Sequence, residues 1–365
     1  MKKLFTVFLF VIFCLNANAQ TATSIANGNW TSPLTWGGMP PVPGNTVIIN
    51  HNVILDTDFA YTSGSITVQA GASLTGNTGM RGLVLNYPSG SGFLTVHGTL
   101  DIARVSLFAD TVSITGGFIS DSLYNQSTIL TSTTGSIHTS QFFNGAGGRI
   151  LNTGEIVTTN LLNLETIINI GLIQSSDFNN CKSLFNNSGA VIVLNHDFMN
   201  ADSMAGPAIF TNNGRQEVMN DWQNKDTVYG TGRFCIVNNT NNSGLMSGSF
   251  DFCDISGGDV DLNTGSIDTS ITYCTFPCTP GTAEYTADYL IEIFPNPARE
   301  SFYINSEKEI SSIEVFNLLG EKVYSATVNA RHFQVRLPYA ANGIYLFRMS
   351  DKENTTKTGK IFIEK

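Results

Sequence analysis

The chain is expected to be all-β: a parallel β-helix (a β-solenoid), followed by a small Ig-like β-sandwich. Three features carry that expectation. A glycine followed two residues later by an apolar side chain returns about every 18 residues through the middle of the chain. Charged residues are only 13% of the 365, against 34 glycines, a composition that excludes a long coiled coil. Charge density also changes abruptly near residue 289. The formal net charge of -10 makes the chain a poor partner for phosphate backbones, so nucleic acid is excluded as a partner class.

The first element is an export signal. Lys2 and Lys3 precede an apolar run from Leu4 to Leu15, and Asn16-Ala17-Asn18-Ala19 offers an A-x-A cleavage pattern before Gln20. That anatomy makes residues 1–19 a secretory signal peptide, and the run is too short to span a bilayer. Phe13 sits where a lipobox needs a small residue, so Cys14 is not read as a lipid anchor. No other stretch reaches 18 apolar residues, so no spanning membrane helix is expected. Five cysteines remain beyond the signal: Cys181, Cys235, Cys253, Cys274 and Cys278. An exported chain can oxidise them, and an odd number leaves at least one outside any internal pair.

Residues 20–289 hold 7 basic and 20 acidic side chains, and residues 290–365 hold 10 and 9. Two kinds of domain are therefore joined. The expected division is an N-terminal cap with first strands at 20–60, a solenoid body at 61–278, a linker at 279–289 and a C-terminal domain at 290–365. The linker reading rests on Pro280, Gly281 and small polar neighbours.

The body's glycines fall at 98, 117, 135, 154, 171, 189, 214, 232, 248 and 265. All but Gly214 put an apolar residue at +2; there the residue is Gln216. A period near 18 in β-rich sequence is the signature of a solenoid whose rungs turn at glycine and send apolar side chains inward. A left-handed coil requires a six-residue apolar beat that is absent, so the right-handed form is expected. Position -2 is Asn152, Asn169, Asn187, Asn212 and Asn263 on five of these repeats. Stacked about 4.8 Å apart, such amides would bond one to the next as a structural ladder.

The N-terminal piece pairs Trp30 and Trp36 around Pro33, followed by a Pro43-Gly44 turn and a strand from Val47. It resembles the start of G8-like and related β-helix domains of secreted proteins. The two tryptophans are placed to close the open end of the solenoid, where a bare rung would expose a strand edge.

The last 76 residues read as seven short strands: 291–294, 301–305, 312–317, 322–325, 333–336, 343–349 and 360–363. Seven short strands over this length predict the small sandwich. Phe294-Pro295-Asn296-Pro297, the run from Ile313 through Gly320 to Val323, the run from Asn342 through Gly343 and Tyr345 to Met349, and the closing Lys360 to Lys365 resemble the type A C-terminal sorting domain of the type IX secretion system. The resemblance implies export through that machinery and removal of the domain by a sortase-like peptidase in the linker. It also implies release or attachment to surface lipopolysaccharide, giving a secreted or outer-membrane surface-attached protein. Asp110-Thr, Asp121-Ser, Asp202-Ser and Asp226-Thr, each before an aliphatic residue or Met, look like the O-glycosylation pattern of bacteria using this route.

Candidate chemistry is sparse. His51, His97, His138 and His196 show no ligand spacing to one another, and no nucleophile, zinc-protease or phosphate-loop motif occurs. The best polar cluster is Asp251, Asp254, Asp259, Asp261 and Asp268. Asp251 and Asp268 both stand at +3 from their glycines, so they are expected to stack on neighbouring rungs. Such a pair could hold calcium with Asp259 and Asp261, or act as acid and base in polysaccharide cleavage. Cys235 and Cys253, 18 apart, are one candidate disulfide and Cys274–Cys278 another. The expected function is a non-enzymatic, adhesive or glycan-binding surface solenoid; the alternative is a polysaccharide lyase or glycoside hydrolase using Asp251 and Asp268.

Overall fold

The computed structural model describes residues 20–76, 81–88, 91–201, 206–276, 278, 291–295, 297–317, 321–352 and 356–364. The signal peptide, the 279–289 linker, Asp202, Asn296 and Gly320 lie outside the described residues. The chain divides into two compact units, Met1–Pro280 and Gly281–Lys365.

The first unit is a β-solenoid of about 11 turns with almost no helix. A regular turn carries three strands. One, the first face, lies in a parallel sheet of 13 strands, and the other two lie in a parallel sheet of 21 strands that bends between them, the second face being the part before the bend. On three successive turns one strand runs through the bend: Gly117–Asn125, Ser136–Asn144 and Glu155–Asn163. Two consecutive outward residues, such as Ser140-Gln141, interrupt the inside-outside alternation there and turn the strand.

The inward column of the second face runs in register through Leu100, Phe118, Ile137, Ile156, Ile173, Ile192, Gln216, Phe234 and Phe252. All but Gln216 belong to one continuous core, and each contributes about 1.5–3 kcal/mol by leaving water. Gln216 sits in the apolar column because its Oε1 accepts the Trp222 indole N–H at 3.1 Å. Glycine at the preceding corner is a matter of space. A Cβ on Gly154 would press on the backbone oxygens of Gly135 and Ser132 in the turn before.

Each corner has its own buried polar ladder. Asn152, Asn169, Asn186 and Asn212 form one, each Nδ2 donating to the next Oδ1 at 2.8–2.9 Å. The third member is thus Asn186 rather than the expected Asn187, because the turn ending at Gly189 is longer and places Ala190 where the other rungs have glycine. Asn263 belongs to a second, longer ladder: Asn125, Asn144, Asn163, Asn180, Asn200, Asn224, Asn242 and Asn263. At the third corner, the bend, the hydroxyls of Thr139, Thr158 and Ser175 donate to the carbonyl two residues on.

At the N-terminal end the short helix Pro33–Trp36 places Trp36 against Trp30, ring centroids 5.3 Å apart, with the Trp36 indole N–H on the Trp30 carbonyl at 2.7 Å. Both are buried in the solenoid core. At the other end two disulfides, Cys235–Cys278 and Cys253–Cys274, fasten the last residues to the outer face. Neither expected pairing forms. Cys235 and Cys253 are register neighbours pointing the same way, and each bonds the segment that crosses over them. Cys181 stands outside both bonds.

The second unit is a single, nearly closed antiparallel sheet rather than a clear Ig-like sandwich. Its hydrogen bonding defines five strands: Ile291–Phe294, Ser301–Phe316, Lys322–Arg336, Gly343–Asp351 and Thr356–Ile363. The seven short strands expected reduce to five because 301–305 and 312–317 are parts of one long strand, as are 322–325 and 333–336. The long pair bends through bulges near Asn305 and Ile310 instead of breaking at turns. Phe302, Ile304, Val315, Tyr345 and Phe347 fill its core.

Candidate functional site

The expected acid pair does not assemble. Asp251 pairs in register with Arg233 and Thr272 on the second face. Asp268 follows Ser266–Ile267, which pairs with Leu245 and Met246 on the first face, and it accepts the Ser247 hydroxyl at 3.4 Å. Gly248 and Gly265 occupy different corners, so equal offsets from them are not equal positions. Asp251 is enclosed and committed: it accepts from the hydroxyls of Thr272 and Thr275 and the backbone N–H of Thr275 and Phe276. Burial alone would raise its pKa, but those donors together hold it below the usual carboxylate range. Asp268 is also held low, by the Ser270 N–H and hydroxyl.

Asp254 and Asp261, by contrast, meet at the Thr240 hydroxyl, at 2.7 and 3.4 Å. Asp254 is buried on the hydroxyls of Thr240 and Ser256, and Asp261 takes the Thr240 N–H at 2.9 Å. Asp259 and Asp268 line a recess of about 460 Å³ at the last rungs, with Val260, Ile267, Ile271 and Tyr273. Arg215 and Arg233 are register neighbours beside Asp251; Arg233 lies over the Phe276 ring at 3.6 Å, and Arg215 pairs with Glu217.

The outer surface beyond the bend carries a more continuous feature. Ser122, Gln141, Asn160 and Asp177 stand in register on four successive turns. Two residues further along each strand, Tyr124, Phe143, Leu162 and Asn179 make a second column. Apart from Tyr124, the two columns border a shallow trough of about 150 Å³. The aromatic side continues toward the N-terminal end: Tyr87, Phe108, Tyr124 and Phe143 touch in sequence with centroids 4.9, 5.7 and 5.1 Å apart. Tyr124 and Phe143 stack at 13°, and the Gln126 amide donates to the Tyr124 hydroxyl at 2.5 Å. A hydrogen-bonding rail thus runs beside an apolar rail, both repeating at the rung spacing.

The polar rail extends toward the C-terminal end as His196 and Asp197, then Asn220 and Asp221, then Asn238 and Asn239. His196 Nδ1 lies 2.7 Å from Asp177 Oδ1 and 3.3 Å from Asp197 Oδ2. The Asp177 hydrogen bond first, then the Asp197 charge, raises the imidazole pKa above its ordinary value. Asn220 Nδ2 and the Asp221 N–H hold Asp197 Oδ1 at 2.7 and 3.1 Å. Asn238 and Asn239 donate to Asp221 Oδ1 at 3.2 and 2.8 Å. Sequence spacing among histidines alone misses this group, because its partners are carboxylates, one a turn away and one the next residue. Outward Gln141, Asn160 and Phe143 are missed because the glycine frame marks the inward positions.

In the second unit Tyr345 is buried and its hydroxyl donates to the Ala341 carbonyl at 3.1 Å, beside Gly343 at the start of its strand. Pro295 and Pro297 lie between the strands Ile291–Phe294 and Ser301–Phe316. Glu314 joins Lys322 and Arg348 across three strands.

Residues 292–364 match the secretion system C-terminal sorting domain family. That match does not reach the N-terminal piece, and the likeness to G8-like domains gains no support. No curated protein matches the chain. Among solved structures the chain is similar to the crystal structure of CopC from Methylosinus trichosporium OB3b, at 15% identity over 20% of this chain and 90% of that chain, with a TM-score of 0.17. A likeness of that size carries no argument about fold or function. The sorting domain implies export to the cell surface or the medium and engagement of the type IX secretion machinery. Among the described residues no helix is long and apolar enough to cross a membrane.

Proposed function

We propose that the exported solenoid is an adhesive, glycan-binding protein whose contact surface is the paired rail beyond the bend. The observation that carries this reading is the juxtaposition of Ser122, Gln141, Asn160 and Asp177 with Tyr124, Phe143 and Leu162 at one-rung spacing. An extended sugar chain offers hydroxyls on its edges and C–H groups on its faces, and it advances per residue by about one rung. The amides of Gln141 and Asn160 would take the hydroxyls, and the ring edges of Tyr124 and Phe143 the apolar surface. In this reading residues 1–19 direct entry to the periplasm, and a sortase-like peptidase cuts within 279–289. The right-handed body is then released or held on lipopolysaccharide. Calcium at Asp251, Asp259, Asp261 and Asp268 has less to favour it, since Asp251 and Asp268 stand on different faces and Asp251 and Asp261 are already taken by protein donors. Cleavage by an Asp251–Asp268 pair loses its basis for the same reason.

The test is a panel of neutral and acidic polysaccharides offered to the full chain, scored for retention and for new reducing or unsaturated ends. Retention without new ends is expected. Removing the Phe143 ring and the Asn160 amide together (Phe143→Ala with Asn160→Ala) should weaken retention about tenfold, equivalent to roughly 1.4 kcal/mol. New chain ends would refute the binding-only reading, and retention indifferent to both substitutions would move the site elsewhere.

A further inference from the structure

We propose that Asp177, His196 and Asp197 form a binding site for a single divalent cation of the zinc class. One imidazole nitrogen and two carboxylate oxygens, one from each residue, lie within 4.8 Å of one another. The site shares Asp177 with the end of the polar rail, but it does not rest on the glycan reading, because it requires no sugar.

Its framework is rigid. Asp177 opens the strand Asp177–Asn180, and His196 and Asp197 close the turn before Phe198–Asn200, which pairs with that strand in register. The Phe178 N–H donates to the Asp197 carbonyl at 2.9 Å, and behind them Phe178 and Phe198 pack edge to face in the core. The two carboxylates are therefore fixed one rung apart, with the imidazole between them. Asp197 is also oriented from behind, because Asn220 and the Asp221 N–H occupy its Oδ1 and leave Oδ2 facing His196. Hydrogen bonds of this kind to a ligating carboxylate raise metal affinity by fixing its direction.

The donor set selects the ion. Calcium takes six to eight oxygens and magnesium keeps an octahedral oxygen shell, whereas a nitrogen with two oxygens suits zinc and its first-row neighbours. Zinc accepts three protein ligands with water in the open position, and the side chains are open enough for that water, at 57%, 37% and 42% exposure for His196, Asp177 and Asp197. On binding, His196 Nδ1 gives its lone pair to the cation, its proton passes to solvent, and Nε2 keeps the ring's remaining hydrogen. The cation thereby takes the place of the proton now shared with Asp177.

The experiment is zinc chloride titrated calorimetrically into the metal-stripped full chain, with calcium chloride as contrast. One saturable zinc equivalent is expected, and none of calcium. His196→Ala and Asp177→Asn should each weaken binding more than tenfold, and Asn220→Ala about tenfold through the freed carboxylate. His97→Ala and Cys181→Ser should leave it unchanged. In a parallel NMR measurement zinc should move the His196 imidazole signals and leave those of His51 and His97 in place, which separates ligation from any loss of fold in the variants. Absence of saturable uptake, or uptake equal in His196→Ala, overturns the site.

Discussion

At the scale of single residues, an asparagine's value in this protein depends on which way it faces. Asn163 faces inward and is fully buried. It donates to Asn180 Oδ1 at 2.8 Å and to the carbonyls of Glu165 and Ser183, and it accepts from Asn144 and from the Glu165 N–H. Asn160, three positions earlier, faces outward on the trough. Asn163→Ala strands several buried donors and acceptors, each costing about 1–3 kcal/mol, so a loss of about 3 kcal/mol in chemical denaturation is expected. Asn160→Ala should stay within about 0.5 kcal/mol, as other surface changes do, and so report on binding alone. A near-neutral Asn163→Ala would show that the ladder is ornamental. The sequence made the existence of a ladder legible through Asn152, Asn169 and Asn212, because those three share an offset from glycine. It hid the longer ladder, whose members answer to a different corner, and it misassigned Asn187 and Asn263 for that reason.

At the scale of the element, the turn between strands sets register, and register decides which side chains meet. Residue counting tracks it well from Gly135 to Gly171, where corners are made by glycine on each rung and the inward Ile137, Ile156 and Ile173 follow at +2. It fails where a corner is built from something else. Ala190 replaces glycine at one turn, and Phe250 takes the place of Gly232 one rung later, so Gly248 marks no equivalent corner. The expected Asp251–Asp268 pairing fails through that frame, whereas Cys235 and Cys253 do fall in register and bond instead to the segment that crosses over them. The physical rule beneath it is testable at Gly154. Alanine there keeps an ordinary backbone conformation but drives its methyl into the carbonyls of Gly135 and Ser132, which already accept the N–H groups of Glu155 and Gly135. Overpacking of this kind costs about 1–3 kcal/mol, and Gly154→Ala should lie at the upper end because backbone cannot swing aside as a side chain would. Gly71→Ala has open space, although its φ of 79° imposes a conformational penalty of its own. It should therefore destabilise less than Gly154→Ala in the same denaturation assay, and the reverse order would discredit steric crowding as the reason for glycine.

At the scale of the whole molecule, two units with separate cores meet different demands. A solenoid gains stability turn by turn, so its ends are where it frays. The N-terminal end is closed by apolar packing, Trp30 and Trp36 on the core. The C-terminal end is closed covalently: Cys235–Cys278 encloses Cys253–Cys274, and both tie the last described residues of the body to its outer face. Apolar closure would be hard to build there, since Leu262 and Tyr273 remain exposed on the final strands. The covalent lock lies wholly within Met1–Pro280, outside the sorting domain. Reduction should therefore lower the thermal transition of the solenoid and leave that of the sorting domain unmoved in calorimetry. Opening the 43-residue outer loop alone removes about 4 kcal/mol on a chain-entropy estimate; the nested 21-residue loop adds less than its own share, because the outer bond already confines it. Cys278→Ser should reproduce most of the shift and Cys181→Ser none of it. Equal shifts in both transitions would mean that the units do not unfold independently, and no shift would place the closure of this end in the packing of the last strands rather than in the two bonds.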